Sequence, residues 1–376
     1  MDIINTLVEC LELTDESERC PSYKGLREPW LETFEAATTA MIPCDEFEEA
    51  DLDKLNKYTS LVGDLFCMFV DQAQNRRWVE MDPEARLEHV NRILALPQVA
   101  QRTTEWYAQS KTVLTASEFS AILGSDRAVD TLVLQKIAEP VEGSTNRLAC
   151  LSNEMSPFDW GIRFEPVVKQ ILIAMWGVEI LEVGRLVHPT DKQLAASPDG
   201  LIQVAAERDR VGRLIEIKCP VKREINGKIP FEYWCQMQIQ MEVADIDECD
   251  YVEMKLASSY KGSEYVPPAE GTIGYSFNNN VWIFQSPETG ELKYAYTTLE
   301  RKDWELLGWE CVETVPWYLE KMFTETVQRD RAWFKSTEGA RSAFWSKVAG
   351  AKAGTFVPSQ PKPRAPVVNV CKITDD

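Results

Sequence analysis

The 376-residue chain contains few of the residues from which common metal and redox centres are built. It has only two histidines, His89 and His188, which lie far apart along the chain, and we assign neither a role. Its ten cysteines are never closer than ten residues, and no CxxC pair occurs, which excludes the usual zinc and iron–sulfur signatures. Scattered cysteines of this kind indicate reduced thiols in an intracellular protein.

Patterns of secreted and membrane proteins are also absent. The first residues, MDIINTLVECLEL, carry no basic segment of the kind that opens a signal peptide. No apolar run approaches the roughly 18 residues that a membrane-spanning helix needs. We therefore expect a soluble, intracellular protein that makes no membrane contact.

Charge is distributed unevenly along the chain. The 60 acidic and 40 basic residues give a formal charge of −20, which argues against a protein that coats nucleic acid through bulk positive charge. However, residues 1–100 hold 21 acidic and 9 basic side chains, whereas residues 321–374 hold 10 basic and 3 acidic ones. This asymmetry indicates different partners for the two ends.

Hydrophobic patterning divides the chain into four parts. Apolar residues at three- and four-residue steps predict an acidic helical domain over 1–97, whose acidic face is solvated or meets a basic partner. Residues 98–260 mix helices with short β-rich runs, which predicts an α/β or α+β core with helices packed on a sheet. A hairpin and a helical C-terminal extension capped at Thr297 follow over 261–348, and the composition of 349–376 predicts a disordered tail.

Three residues of the predicted core have the chemistry of a phosphodiesterase. Asp199 precedes one strand, and Glu216 and Lys218 lie two apart on the next, so that their side chains point to the same face. Two carboxylates can share one divalent cation, and the lysine beside them can orient or deprotonate water and offset negative charge. The alternative is a surface salt bridge on an edge strand. The apolar context LIEIKCP favours the catalytic interpretation, because buried charges without a role are costly.

The combination SPDG and EIK resembles the signature of the PD-(D/E)xK nuclease superfamily, in its lambda exonuclease or YqaJ-like viral recombinase branch. Four further segments match that branch in order: QRTTEWYAQSKTVLTASEFSAILG at 101–124, WGIRFEP at 160–166, AASPDGLI at 195–202 and YWCQMQIQM at 233–241. The resemblance covers about residues 98–257. It implies a restriction-endonuclease-like α/β core with a central mixed sheet flanked by helices, to which the N- and C-terminal helical regions are additions.

The resemblance also implies roles for individual residues. Asp199, Glu216, the Ile217 carbonyl and Glu165 would be ligands of one or two Mg²⁺ or Mn²⁺ ions, Lys218 the catalytic lysine, and Gln236 a residue that supports it. An alternative for Glu165 is an exposed helix carboxylate, and Gln236 could instead pair with Gln240 one helical turn away.

Phosphate and DNA contacts are predicted both from the resemblance and from the local charge of the chain. In the resembled family, hydroxyls near the scissile or terminal phosphate lie at the positions of Thr115, Ser117 and Ser197. Ser110 replaces an arginine of the phage enzyme, with Lys111 as a possible substitute, so a strict 5′-phosphate requirement is in doubt. Residues 208–228 hold seven basic and three acidic side chains. Lys222 and Arg223 are the residues of this segment that we predict to contact the phosphate backbone of DNA.

The resulting hypothesis is a Mg²⁺-dependent 5′–3′ exodeoxyribonuclease that degrades linear double-stranded DNA from its ends in recombination. The resemblance further implies a single-strand annealing protein as partner, a trimeric assembly, and a viral or phage-like protein that acts in a host cell. Two alternatives stay open. One is an endonuclease or alkaline-nuclease-like enzyme that also acts on RNA. The other is a non-catalytic protein that binds DNA ends or recruits a partner.

Overall fold

The computed structural model describes residues 3–17, 23–42, 49–74, 81–139, 148–268 and 277–359. Most of the predicted disordered tail therefore lies outside the described residues. The described part begins with three helices, α1 (Ile3–Ser17), α2 (Arg27–Met41) and α3 (Glu49–Gln74). They pack around Trp30 and Phe34, which are almost completely buried. The described residues of this region are thus mainly helical, and a separate acidic domain over 1–97 stays a prediction.

On α3, the apolar residues that recur at three- and four-residue steps from Leu55 to Met68 mostly face solvent. Leu55 is buried in the three-helix core, whereas the next four residues of this series are each more than half exposed: Tyr58, Leu61, Leu65 and Met68. The helix packs through the neighbouring face, which carries Val62, Phe66 and Cys67.

Helix α4 (Pro83–Leu94) starts at Asp82, whose side chain accepts a hydrogen bond from the Ala85 amide. Its buried residues Val90 and Ile93 pack into the main core of the protein. The helix α5 (Thr104–Gln109), a 3₁₀ helix (Ala116–Leu123), α6 (Asp126–Ile137) and α7 (Pro157–Trp176) follow. Thr115 and Glu118 form a reciprocal cap at the start of the 3₁₀ helix, and α7 ends before Gly177, whose φ is +58°.

The centre of the molecule is a mixed sheet of seven strands within the described residues, in the order β2-β5-β6-β7-β10-β8-β9. Strands β6 and β7 run parallel and the other neighbours antiparallel. Three short strands, in the order β1-β4-β3, form a second sheet. The strands are β1 (Leu114–Thr115), β2 (Val178–Leu181), β3 (Leu186–Val187), β4 (Leu194–Ala196), β5 (Gly200–Ala205), β6 (Leu214–Lys218), β7 (Glu248–Ser258), β8 (Asn278–Gln285), β9 (Leu292–Ala295) and β10 (Glu310–Gln328).

Helix α7 and helix α8 (Phe231–Ala244) cover opposite faces of the sheet. Ile215 and Ile217 of β6 pack in the α7 cluster, whereas Leu214 packs in the α8 cluster. Alternation along the strand therefore places Glu216 and Lys218 on the α8 side. The predicted fold class, a mixed sheet flanked by helices, is confirmed.

The predicted helical C-terminal extension is only partly correct. The hairpin is present as β8 and β9, and Thr297 caps helix α9 (Thr298–Leu306). However, Gly308, with φ at +76°, follows this helix, and β10 then runs for 19 residues between β7 and β8. Helices α10 (Arg331–Ser336) and α11 (Glu338–Lys352) are the last helices of the described chain, which continues to residue 359. The first four residues of the predicted disordered tail, 349–352, are therefore helical. Residues beyond 260 thus extend the central sheet, and the division into domains stays a prediction.

Candidate active site

The turn before β5 brings Asp199 to the edge of β6. Gly200 leaves no room for a side chain, because a Cβ atom there would lie 2.5 Å from a methyl group of Ile180. The chain can therefore run close to β2, and Asp199 accepts a hydrogen bond of 2.8 Å from the Ile217 amide. This bond ties Asp199 to the strand that carries Glu216 and Lys218.

Glu216 is a completely buried carboxylate. One of its oxygens accepts a hydrogen bond of 2.6 Å from the side-chain amide of Gln240, which is also completely buried. Its other oxygen, Oε1, lies 2.5 Å from Nζ of Lys218 as an ion pair, without any other hydrogen-bond partner. Burying a charged group at such a place requires this kind of partner set.

Lys218 lies among four groups that favour its charged form. Its Nζ donates a hydrogen bond of 3.1 Å to Oε1 of Gln236 and lies 4.4 Å from the centre of the Tyr233 ring. Burial lowers the pKa of Lys218, but the carboxylates of Glu216 and Asp199 outweigh it, so that the pKa is raised. Gln236 and Gln240 thus contact Lys218 and Glu216, respectively, and the alternative that they pair with each other is wrong.

The surroundings of Asp199 destabilise the charged form of its carboxyl group. Burial raises the pKa of its carboxyl group well above the usual value, and the negative charges of Glu216 and Glu165 raise it further, against Lys218 and the Ile217 amide. A divalent cation at this point would relieve the repulsion among these carboxylates.

The carboxylates at this point suit a Mg²⁺ or Mn²⁺ ion that is held by few protein ligands. Within the described ranges, no three of the His, Cys, Asp and Glu side chains are placed to hold one ion together. However, Mg²⁺ is commonly bound through one or two carboxylates and completed by water and substrate oxygens. Asp199 and Glu216 provide such a pair of carboxylates, and Oε1 of Glu216 contacts only Nζ of Lys218. The Ile217 carbonyl stays a predicted ligand.

Glu165 lies in the same cleft, but its two carboxylate oxygens are paired with basic side chains. It accepts a hydrogen bond of 2.9 Å from Arg102 and forms an ion pair of 2.9 Å with Lys169, one helical turn further along α7. Lys169 also contacts Glu182 at 2.6 Å. The structure therefore brings Glu165 to the site, and its role as a ligand stays a prediction.

These residues line an open cleft with a volume of about 1040 Å³. Most of the predicted phosphate and DNA contacts lie on its wall as well: Thr115, Ser117, Ser197, Lys222 and Arg223. Lys111 is not part of the lining, because its Nζ donates a hydrogen bond of 2.8 Å to the Gln135 carbonyl. The role of Lys111 as a substitute for the arginine of the phage enzyme stays a prediction.

The hydroxyl groups on the wall are held by local hydrogen bonds. Thr115 donates a bond of 2.6 Å to Glu118, and its oxygen lies 3.3 Å from that of Ser117. Ser197 accepts a bond of 3.1 Å from the indole of Trp106. Capping and phosphate binding by Thr115 and Ser117 remain compatible with each other.

Arg223 has a structural partner that the sequence did not indicate. Its guanidinium group contacts the carboxylate of Glu253, which is completely buried on β7, in register with Lys218. Burial raises the pKa of Glu253, and Arg223 opposes this shift. Arg223 thus neutralises a buried charge beside the site, while its role in DNA binding stays a prediction.

Three further residues of the cleft, Arg185, Phe158 and Tyr233, were not predicted from the sequence as contacts. The almost completely buried Arg185 lies over the ring of Trp106 at 4.1 Å and donates to the Trp106 carbonyl. Burial lowers the pKa of Arg185 to about 10. Phe158, in the first turn of α7, lines the cleft with 67% of its surface exposed, and Tyr233 lies beside Lys218. Only Phe158 carries a sequence signal, a bulky apolar residue after a helix-starting proline.

The aromatic residues near the C-terminus belong to the core. Trp333 packs against Phe119 and Trp234, and Phe344 is almost completely buried. These residues are therefore part of the packed core and not of the cleft lining.

Comparison with known proteins supports the resemblance. Residues 105–247 match the model of the YqaJ-like viral recombinase domain. An uncharacterized protein of Acanthamoeba polyphaga mimivirus is 31% identical over 203 residues, which cover 50% of this chain and 35% of that protein. The alignment thus spans about a third of the length of that relative.

Two solved structures of exonucleases are similar at low sequence identity. An alkaline exonuclease from Laribacter hongkongensis is 21% identical, with a TM-score of 0.39, covering 67% of this chain and 95% of that one. A phage related exonuclease from Haemophilus somnus is 14% identical, with a TM-score of 0.35, covering 64% and 96%, respectively.

In the part of the chain that the structure describes, the helices are too short or too polar to cross a membrane. The segment that matches the family model contains Asp199, Glu216 and Lys218 together with Gln236 and Gln240. Residues 105–247 are therefore similar to the YqaJ-like viral recombinase domain.

Proposed function

We propose that the protein is a metal-dependent deoxyribonuclease that hydrolyses linear double-stranded DNA from its ends in the 5′–3′ direction. The observation that carries this proposal is the meeting of Asp199, Glu216 and Lys218 on the wall of one cleft. Two neighbouring strands supply a carboxylate pair and an ammonium group at a single point, which is the combination that phosphodiester hydrolysis requires.

When bound, Mg²⁺ or Mn²⁺ would supply Lewis-acid stabilisation of the charge that develops on the phosphate. Asp199, Glu216, the Ile217 carbonyl and Glu165 are the proposed ligands for one or two such ions. Because its raised pKa keeps Lys218 charged, its ammonium group orients the attacking water and offsets negative charge in the transition state. Gln236 holds Nζ of Lys218 in place through its hydrogen bond.

The cleft wall offers contacts to the sugar–phosphate backbone and to bases. Lys222 and the hydroxyls of Thr115, Ser117 and Ser197 are proposed phosphate contacts, since lysines and hydroxyls bind phosphate without reading sequence. The exposed ring of Phe158 provides a surface on which a base at an opened DNA end can stack. Because Lys111 lies outside the cleft, we expect cleavage without a strict 5′-phosphate requirement.

The biological setting follows the family by analogy. Digestion from 5′ ends leaves 3′ single strands, which are the substrate of a single-strand annealing protein. We propose such a partner, a trimeric assembly and a viral origin, all of which rest on the family and on the mimivirus relative. The N- and C-terminal regions outside the family match would have to be accommodated in that assembly.

The proposal is tested with linear duplex DNA labelled at either end, covalently closed DNA and RNA, each incubated with Mg²⁺ or with EDTA. We expect Mg²⁺-dependent loss of the 5′ label first, no cleavage of closed DNA or RNA, and little effect of a 5′-phosphate. Lys218→Ala should lower the rate by about 10³-fold. Lys222→Ala, a lysine of the same cleft outside the carboxylate cluster, should mainly weaken DNA binding in a salt-dependent way.

Each contrary result has a distinct meaning. Cleavage of closed DNA would show an endonuclease, and cleavage of RNA would show the broader alkaline-nuclease activity. Loss of the 3′ label first would contradict the polarity. Binding of DNA ends without any cleavage in Mg²⁺ or Mn²⁺ would show a non-catalytic protein.

A further inference from the structure

The N-terminal helical region reaches the nuclease core through Tyr23, which precedes α2. Its ring packs against Phe231 at 5.2 Å and against Trp234 at 5.5 Å, measured between ring centres. Its hydroxyl group donates a hydrogen bond of 2.9 Å to the Ile229 carbonyl, 206 residues away along the chain. Burial and the neighbouring Glu232 raise the pKa of Tyr23, so the phenol keeps the proton that it donates.

These contacts fall on the start of helix α8, which has no side chain to cap it. Its N-cap residue is Pro230, and no side-chain hydrogen bond satisfies the first amide groups. Helix α7, by contrast, begins with a complete capping box formed by Ser156 and Asp159. Since uncapped helix ends fray, the first turn of α8 depends on tertiary contacts for its position.

The middle of α8 is anchored differently. The side chain of Gln238 donates a bond of 2.7 Å to the Gln328 carbonyl and accepts one of 2.6 Å from the Asp330 amide. Trp333 adds a contact to Trp234 at 4.9 Å. The middle of the helix is thus held at the end of β10 and the start of α10, and its first turn is contacted by Trp333 on one residue, Trp234, and by Tyr23 on two, Phe231 and Trp234.

The first half of α8 carries residues that contact the proposed catalytic group. Tyr233 lies under Nζ of Lys218, and Gln236 accepts its hydrogen bond. Tyr233 directly precedes Trp234, the residue on which Tyr23 packs, and Gln236 follows two residues later. A shift of this turn would therefore move the partners of Lys218 directly.

We propose that Tyr23, outside the segment that matches the family model, is a positioning residue that acts on Lys218 through the first turn of α8. The inference rests on the proposed nuclease function. Tyr23 itself is not in the cleft lining, so its effect should appear in the rate of the chemical step and leave DNA binding unchanged.

The chain offers a matched control at the next residue. Lys24 forms an ion pair of 2.7 Å with Glu325 of β10, so Lys24→Ala removes a contact of the same interface and leaves the aromatic contacts of α8 in place. The full chain is compared as wild type, Tyr23→Ala, Tyr23→Phe and Lys24→Ala. The readouts are kcat and KM on linear duplex DNA with Mg²⁺, and hydrogen exchange of amides 231–236.

We expect Tyr23→Ala to lower kcat by about tenfold with KM unchanged, since small displacements of catalytic groups cost rate more than binding. Amides 231–236 should exchange faster in this variant. Tyr23→Phe, which keeps the ring and loses the hydrogen bond, should fall between Tyr23→Ala and wild type. Lys24→Ala should match wild type in kcat and in exchange.

Three results would overturn the inference. They are a wild-type kcat in Tyr23→Ala, equal losses in Tyr23→Ala and Lys24→Ala, and unchanged exchange of amides 231–236. If Tyr23→Ala does not fold, Tyr23→Phe decides, and a kcat equal to wild type with unchanged exchange overturns the inference. Wild-type protein that cleaves no DNA would instead overturn the proposed function, so the two failures are distinguishable.

Discussion

Gln240 donates a hydrogen bond of 2.6 Å to Glu216, and both side chains lie completely inside the protein. A buried carboxylate that loses a hydrogen-bond donor bears the full cost of its desolvation. We expect Gln240→Leu to lower the free energy of unfolding by about 2 kcal/mol, measured by urea denaturation. Gln236→Leu, on the same helix, removes a bond to the partly exposed Lys218 and should cost less than about 1 kcal/mol. Equal losses in the two variants would contradict this account of Glu216.

Binding of Mg²⁺ should stabilise the fold through Asp199. Burial and the charges of Glu216 and Glu165 raise the pKa of this carboxyl group, and a cation relieves the repulsion. At a Mg²⁺ concentration of 100 times the Kd we expect a gain of about 2.7 kcal/mol in the free energy of unfolding. Asp199→Asn should abolish the gain, as read from the melting temperature with and without Mg²⁺.

Two glutamates near Lys169 provide the comparison for this experiment. Glu165 is a predicted ligand, so Glu165→Gln should weaken the Mg²⁺ effect. Glu182, whose side chain is 76% exposed, contacts Lys169 only from outside the cleft lining, so Glu182→Gln should preserve it. Identical behaviour of the two variants would remove Glu165 from the ligand set.

Arg223 should matter for stability because Glu253 is completely buried behind it. We expect Arg223→Ala to lower the free energy of unfolding by about 3 kcal/mol, since it leaves an unpaired buried charge. The double variant Arg223→Ala with Glu253→Gln should recover most of that loss. Weaker DNA binding with unchanged stability in Arg223→Ala would instead support the phosphate contact.

We expect Phe158 to increase the rate at which double-stranded DNA is digested. Its ring is 67% exposed on the cleft wall, where it can stack on a base that is unpaired at a DNA end. Since stacking on an aromatic ring contributes about 1–3 kcal/mol per base, Phe158→Ala should slow digestion of blunt duplex DNA by about tenfold. Digestion of single-stranded oligonucleotides is the internal control, and an equal loss on both substrates would argue against the stacking role.

Local signals in the sequence were sufficient for several elements. Gly177 after an amphipathic run predicts the end of α7, and the spacing of Glu216 and Lys218 predicts their common face. Each of these features depends on residues within a few positions of one another. Short-range geometry is encoded directly by side-chain type and spacing.

Strand β10 shows where such signals fail. The capping residue Thr297 correctly predicts a helix start, but the helix stops before Gly308, and Pro316 lies inside the following strand. Pro316 lies opposite Asn280 of β8, whereas pairing with β7 begins only at Trp317, so the proline stands where one side of the strand is unpaired. Its pairing with β7 and β8 is decided by residues far away in sequence, because strand formation depends on the partner strands more than on local preference.

The amino-acid sequence alone specifies the acid–acid–lysine set of Asp199, Glu216 and Lys218, together with the turn and strand that orient each side chain. Folding decides which groups surround that set. Gln240 rather than Gln236 contacts Glu216, Arg223 pairs with Glu253, and Tyr23 reaches α8 from the N-terminal region. These contacts join residues that are 24 to 206 positions apart, and packing alone brings them together, since no local spacing rule relates such positions.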